Sequence, residues 1–290
     1  MDVTQANSQG EAAGNNASAA LGAELERAIA TASLSLPPLP GVATEVLAST
    51  SGDQADAKRL AALIQQDQSL ASHVMRVVNS ALFRGSVEVV SLQQAIARLG
   101  MERVRDIAFT AAVSAVLLEG SAYENIVRDA WKSSLATGLW AKEIARDTRK
   151  NVELAYMAGL FHNVGVPLVV RFVERRNEGC DNALLDQLID RFGGAAASML
   201  VEAWKLPTTL ADVLANYRRW DSSTPPDDLC LMTAAAVLFA DTLKACPDTE
   251  EALAGLVGSA ECKALNLYPE EVSALLDRAE AVQQTMESMA

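Results

Sequence analysis

A single histidine next to an asparagine is the feature of this sequence best suited to chemistry. His162 and Asn163 lie in the stretch Gly159–Gly165, which follows helix-favouring residues and precedes an apolar run from Val166 to Val173. A polar pair on a mostly apolar helix predicts an inward-facing polar site. The alternative is a core histidine whose ring nitrogens are satisfied by neighbouring groups.

Other patterns that support catalysis are missing from the sequence. It has no Gly-x-x-x-x-Gly-Lys-Ser/Thr phosphate loop, no Gly-x-Gly-x-x-Gly after a strand, no His-Glu-x-x-His and no Gly-x-Ser-x-Gly. The four cysteines show no zinc spacing. His73, the other of the two histidines, is expected to be a surface or packing residue of a helix. Two histidines cannot build a cluster of several histidine ligands.

The elements that position this pair are predicted to be helices. Half of the 290 residues are hydrophobic but only 5% are aromatic, because alanine, leucine and valine carry the apolar content. Alanine and leucine favour helices. Glycine and proline number 16 and 9, and no Asn-Gly or Asp-Gly hairpin signal separates alternating runs. The composition therefore predicts an all-α protein.

The charge balance argues against nucleic-acid and membrane partners. The formal net charge is -13, whereas nonspecific binding to nucleic acid or anionic lipid depends on clustered lysine and arginine. Two local basic clusters are expected to be solvated helix faces, with a functional anion patch as the alternative: Arg98, Arg103 and Arg105, then Lys142, Arg146, Arg149 and Lys150. We expect no signal peptide, no membrane span and reduced cysteines, and thus a cytoplasmic protein.

The sequence predicts a succession of helices along the chain. Residues 1–20 are polar and lack an apolar period, which predicts a disordered tail. Ser69 is predicted to cap a helix after the turn at Asp67, and a helix from about Asn182 to Phe192 is predicted to precede Gly193-Gly194. Pro269 is predicted to begin the last helix.

Four short motifs occur in order in the first half: Leu36–Pro40, Ile64–Asp67, Asn79–Ala81 and Ala95–Gly100. Their order and spacing resemble the signature of the HDOD domain, a branch of the HD metal-dependent phosphohydrolase superfamily found in bacterial signalling proteins. The resemblance implies an all-α, multi-helix HD-like bundle with an N-terminal helical subdomain. We expect a tail at 1–20, that subdomain at 21–120, and an HD-like part with C-terminal helices at 121–290.

The resemblance also implies where a metal site would lie. Gly159–Gly165 is similar to the superfamily motif Gly-Leu-x-His-Asp-x-Gly, with Asn163 in place of the aspartate. Ser133 stands where a first histidine is found, and Asp241 matches the later aspartate. Asn216-Tyr217 replaces a His-His pair. Two of four core ligands are retained, so we expect no metal, no cofactor and no catalytic residue at these vestigial positions.

The expected function is a non-catalytic bacterial signal-transduction module that acts through contacts with other signalling proteins. One alternative is an atypical metal-dependent phosphohydrolase, a phosphodiesterase or nucleotidase that uses His162 and Asp241. Another is a metal-free sensor of a small-molecule ligand in a groove formed by Ser133, His162, Asn163, Asn216, Tyr217 and Asp241.

Overall fold

The computed structural model describes residues 19–48, 56–80, 82–83, 87–176, 180–222 and 224–290. Within these ranges the secondary structure is entirely helical, which confirms the predicted all-α class. The helices are α1 (19–30), α2 (Gly41–Ala48), α3 (Ala57–Gln65), α4 (Gln68–Val78), α5 (Leu92–Leu99), α6 (Met101–Leu117), α7 (Glu124–Asp147), α8 (Val152–Phe161), α9 (Gly165–Glu174), α10 (Asn182–Ala203), α11 (Thr208–Asn216), α12 (Asp228–Ala245), α13 (Thr249–Val257), α14 (Ala260–Ala264), α15 (Pro269–Leu276) and α16 (Ala279–Met289).

Helices α2–α5 form a bundle around α6. Helices α2, α4 and α5 pack against α6, in which every residue from Val104 to Val113 is buried. Helix α1 lies instead against α10, where a Cβ on Gly22 would contact Leu188 and where Glu26 pairs with Arg191.

Side-chain caps begin three of the helices, since the carboxylates of Asp56 and Asp67 and the hydroxyl of Ser91 accept from backbone N–H groups. The predicted cap at Ser69 is wrong: Asp67 caps α4 and accepts from the N–H groups of Ser69 and Leu70. The predicted tail lies outside the described residues except for 19 and 20, which are helical.

The second half is built on α7, the longest described helix. Helices α8 and α12 pack along α7, while α9 and α11 pack against α10. At the crossing of α7 and α8, Gly159 lies directly against the backbone of Gly138. Because neither residue has a side chain, the two helices approach closely and hold Ser133 near the end of α8.

Helix α10 does not end at Gly193-Gly194, as the sequence predicts, but continues to Ala203. Packing requires glycine at Gly194 and, across from Gly193, at Gly165. A Cβ on Gly165 would lie 1.9 Å from the carbonyl oxygen of Gly193, and a Cβ on Gly194 would lie 2.9 Å from that of Leu214. Tertiary contacts therefore retain glycine inside a helix, although glycine lowers helix propensity.

Contacts between the two halves cross the expected boundary near residue 120. The rings of Phe109 on α6 and Phe161 on α8 meet edge to face, with centroids 6.0 Å apart. The indole N–H of Trp204 donates to the carbonyl oxygen of Pro37 over 2.8 Å, which anchors the proline segment to the end of α10. The division at residue 120 itself stays a prediction.

The C-terminal helices return to the long helix α7. Helix α16 packs on α7 and on α6. Just before it, Arg278 forms ion pairs with Glu143 and Asp147 of α7. Pro269 is confirmed as the first residue of a helix, but that helix is α15 and it ends at Leu276, before α16 begins.

One stretch, Val152–Glu174, is long and apolar enough to cross a membrane by length and composition. It spans α8, the turn at His162 and α9, and 83% of its most apolar window is buried inside the fold. Burial of this extent is typical of a core helix pair, which accounts for its hydropathy without a bilayer.

Candidate functional site

His162 lies at the break between α8 and α9, where it forms the C-terminal cap of α8. Its Nδ1–H donates to the carbonyl oxygen of Gly159 at 2.7 Å, because a carbonyl can only accept. This bond satisfies one of the carbonyl groups that a helix C-terminus leaves without an intrahelical partner. In the neutral ring, Nε2 remains as an acceptor.

The imidazole of His162 is 4% exposed, and burial lowers its pKa to about 4. The hydrogen bond to Gly159 acts in the opposite direction, while the nearby Arg218 guanidinium lowers the pKa further. His162 is therefore neutral at pH 7, which is the state that a metal ligand requires and also the state that a satisfied core histidine adopts.

Asn163 connects the turn after α8 to α7. Its Nδ2 donates to Oγ of Ser133 at 3.3 Å. Two positions predicted to belong to one site are therefore joined by a hydrogen bond between two neutral groups, an amide and a hydroxyl. Neither group supplies the negative charge that stabilises a bound dication.

Tyr217 covers the ring of His162 from the short 3₁₀ segment Tyr217–Ser222 that follows α11. The two rings are edge to face, with centroids 6.0 Å apart. The phenol oxygen accepts from Nε of Arg218 at 3.1 Å, and Arg218 also forms an ion pair with Asp190. Arg218 was missed in the sequence; its place directly after Tyr217 is the signal that could have identified it.

Asp241 is an exposed residue of α12. Together with Ser133 it lines a cleft of about 850 Å³ between α7, α12 and α16, which we call the C-terminal cleft. Partial burial raises the pKa of the Asp241 carboxyl, and the neighbouring Lys244 and Arg218 lower it. Burial has the larger effect, so the two cations offset only part of the rise in the pKa.

Asn216 is not brought together with the other predicted residues. Its side-chain amide donates to the carbonyl oxygen of Asp212 at 2.8 Å, and its Oδ1 accepts from Arg219 at 3.3 Å. It lines a separate cleft with Lys150 and Asp228. Ser133 is hydrogen-bonded to Asn163 and lines a cleft with Asp241, and His162 contacts the ring of Tyr217. Asn216 takes part in none of these contacts.

The donor set at these positions does not fit a divalent metal. His162 has one ring nitrogen left to bind a metal, because the other donates to Gly159. The Ser133 hydroxyl and the Asn163 amide are neutral and are hydrogen-bonded to each other. Within the described residues, no group of three His, Cys, Asp or Glu side chains is placed to hold an ion. The guanidinium of Arg218 adds a positive charge close to both His162 and Asp241, which opposes a second cation.

A second polar centre lies where α6, α7 and α8 meet. The buried Asp106 accepts from Arg105 and from Lys142, and Arg105 also pairs with Glu153. The expectation that both basic clusters are solvated faces is therefore wrong for Arg105 and Lys142, which are 7% and 9% exposed. Helix packing turns these two cations inward, where a shared carboxylate compensates their charge.

The family model of the HDOD domain matches residues 36–219 of this chain. A curated relative, an uncharacterized protein of Treponema pallidum (strain Nichols), is 23% identical over an alignment of 191 residues, and the match covers 62% of this chain. The chain spans about a third of the length of that relative, 37%.

Solved structures share the fold at low sequence identity. An HDOD domain protein with unknown function from Geobacter sulfurreducens is 19% identical, with a TM-score of 0.68 over 93% of this chain and 96% of that chain. A Shewanella amazonensis protein provisionally named a metal-dependent phosphohydrolase gives 20% identity and a TM-score of 0.66 over 89% and 99% of the two chains. A Marinobacter aquaeolei VT8 protein, provisionally named a signal transduction protein, is 22% identical, with a TM-score of 0.63 over 94% of this chain and 66% of that chain.

Proposed function

Because the chain belongs to the HDOD domain family, we propose that it is a non-catalytic signalling module of the bacterial cytoplasm that acts by contacting other signalling proteins. The observation that carries the proposal is the neutral pair at the vestigial site, in which the Asn163 amide donates to the Ser133 hydroxyl. At these positions a metal-dependent hydrolase needs anionic or imidazole ligands to hold its ion and activate water.

The remaining groups also favour a regulatory role over hydrolysis. One nitrogen of His162 is used to cap α8, and its ring lies under Tyr217. Arg218 supplies positive charge beside Asp241. The net charge of -13 makes nucleic acid and anionic membranes poor partners, so protein surfaces are the partners that we infer.

The test is metal content and phosphoesterase activity of the purified chain. We expect no stoichiometric metal after purification and no hydrolysis of bis-p-nitrophenyl phosphate or cyclic dinucleotides with Mn²⁺ added. A catalytically active HD phosphohydrolase, assayed in parallel, is the positive control. Metal-dependent turnover that His162→Ala abolishes and that Lys58→Met, at an exposed residue of α3, leaves intact would overturn the proposal.

The converse experiment restores the missing ligands. The double variant Ser133→His, Asn163→Asp returns an imidazole and a carboxylate to adjoining positions on α7 and after α8. If the proposed loss of donors is the reason for inactivity, calorimetry should detect Mn²⁺ binding that is at least about 10-fold tighter than in the parent chain. An unchanged affinity would mean that the donors at 133 and 163 are not what limits metal binding.

A metal-free sensor is the second function that an observation supports. Ser133 and Asp241 line the C-terminal cleft, and its volume of about 850 Å³ falls in the range of small-molecule sites. Asn216 would have no part in such a site, since it lines a different cleft.

A further inference from the structure

A smaller cleft of about 340 Å³ lies between α6, α7 and α16, next to the buried Asp106 centre and away from the vestigial site. We call it the basic cleft. Its lining includes four cations, Arg103, Lys142, Arg146 and Arg278, and two carboxylates, Asp106 and Glu143. An excess of positive groups in a chain with a net charge of -13 is a local feature that the overall composition does not predict.

Lys142 is the buried cation of this lining. Its side chain is 11% exposed, and its ammonium donates to Asp106 and lies 5.4 Å from the centroid of the Tyr156 ring. Asp106 also accepts two hydrogen bonds from Arg105, which pairs with Glu153 as well. An ammonium has three donors, and the bond to Asp106 uses one of them. Lys142 therefore retains donor capacity for an anion in the cleft.

Arg103 is the cation at the mouth of the basic cleft. It is exposed, and its guanidinium lies 5.9 Å from the centroid of the Phe83 ring. In the part of the chain that the structure describes, it forms no ion pair, whereas Arg146 and Arg278 are both bound to Glu143. Arg103 and Lys142 thus present positive charge at the entrance and in the interior of the same cavity.

Most of the remaining lining is apolar, with Ile107, Leu139, Val282 and Met289 among its residues. A cavity with apolar walls and a few convergent polar groups is the usual form of a small-molecule site, and about 340 Å³ is at the lower end of the usual range. A bare inorganic anion would leave the apolar walls unfilled, while a polymer would exceed the volume.

We propose that the basic cleft binds a small phosphorylated molecule of about mononucleotide size, with Lys142 as the main contact of the phosphate and Arg103 at the entrance. Charge-assisted hydrogen bonds from lysine and arginine are among the strongest that a phosphate can form. This site is separate from Ser133, His162 and Asp241, so it does not depend on the proposed signalling role.

The experiment is isothermal titration calorimetry of the full chain with four probes: pyrophosphate, AMP, GMP and adenosine. We expect saturable binding of at least one nucleoside monophosphate, weaker binding of pyrophosphate, and no binding of adenosine, which lacks the phosphate. Raising the salt concentration should weaken the binding, because ionic contacts are screened.

Two variants locate the binding. Lys142→Met removes the ammonium at similar side-chain length and should weaken binding at least about 10-fold. Arg103→Gln changes an exposed residue, so it tests the site even if Lys142→Met does not fold, and it should weaken binding about 3-fold. Lys244→Met, which lies in the C-terminal cleft, removes the same charge and should have no effect.

Three results would each overturn the proposal. The first is that neither nucleotide binds. The second is that adenosine binds as tightly as AMP, because the phosphate would then contribute nothing. The third is that Arg103→Gln and Lys244→Met reduce affinity to the same extent, since that would indicate a general effect of net charge.

Discussion

At the scale of single residues, His162 is a titratable group held neutral inside the fold. Its folded pKa of about 4 lies below the ordinary value of 6.5 because burial disfavours the imidazolium. Above pH 6.5 the ring is neutral in both the folded and the unfolded chain. As the pH falls from 6.5 to about 4, the unfolded chain binds the proton first, and stability is lost over that window.

We therefore predict that His162 makes the free energy of unfolding fall by about 3 kcal/mol between pH 6.5 and pH 4. Urea unfolding at several pH values measures this fall. His162→Gln should flatten the profile, whereas His73→Gln, at a half-buried histidine, should leave most of the slope. A slope that survives in His162→Gln would assign the pH dependence to other groups.

The candidate residues could be predicted from the sequence better than their relations to one another. The motif around His162 identifies a polar, buried position, and the structure places it so. Asn216 and Tyr217 are adjacent in sequence, yet only Tyr217 contacts His162. Their different directions depend on the path of the backbone at the end of α11, which the sequence does not reveal. Arg218 belongs to no motif; only its place directly after Tyr217 could have indicated its influence on His162 and Asp241.

At the scale of the helices, caps and periodicity predict most elements, while close packing explains the errors. The prediction of Ser69 as a cap failed because Asp67 and Ser69 are both good caps two residues apart, and backbone geometry selects Asp67. The continuation of α10 through Gly193-Gly194 reflects the approach of Gly165, a contact distant in sequence.

The crossing of α7 and α8 leads to a prediction about Gly159. A Cβ there would lie 2.7 Å from both the Cα of Gly138 and the carbonyl oxygen of Thr137, which are backbone atoms of α7. Gly159→Ala must push the helices apart and should lower the free energy of unfolding by about 3 kcal/mol. Urea unfolding monitored by circular dichroism measures the loss.

Gly255 in α13 is the matched control, because a Cβ there meets nothing within 4 Å. Gly255→Ala should raise stability by about 0.5–1 kcal/mol, through the higher helix propensity of alanine. If Gly159→Ala proved as harmless as Gly255→Ala, the close approach of α7 and α8 would be wrong.

At the scale of the whole molecule, the Asp106 centre connects the bundle of α2–α6 to the helices that follow. Asp106 and Arg105 are on α6, Lys142 is on α7, and Glu153 is on α8. A sequence cannot reveal which of several charges on an acidic surface turn inward, so this centre was not predicted. The family resemblance, by contrast, predicted the all-α architecture correctly.

Loss of the Asp106 carboxylate should destabilise this junction. Asp106→Asn leaves the buried Arg105 and Lys142 without their shared anion and should lower the free energy of unfolding by about 3–5 kcal/mol. Glu153→Gln removes a half-exposed partner of Arg105 and should cost less than about 1 kcal/mol. Equal effects of the two substitutions in chemical denaturation would show that Asp106 has no special place in the junction.

Helix α16 is a wall of both clefts. Glu280, Gln283 and Met286 face the C-terminal cleft, whereas Ala281, Thr285 and Met289 face the basic cleft, and Val282 lines both. An occupant that draws this helix toward one side must alter the width of the other side. Any such effect is reciprocal by thermodynamic necessity: if filling the first cleft changes affinity in the second by some factor, filling the second changes affinity in the first by the same factor.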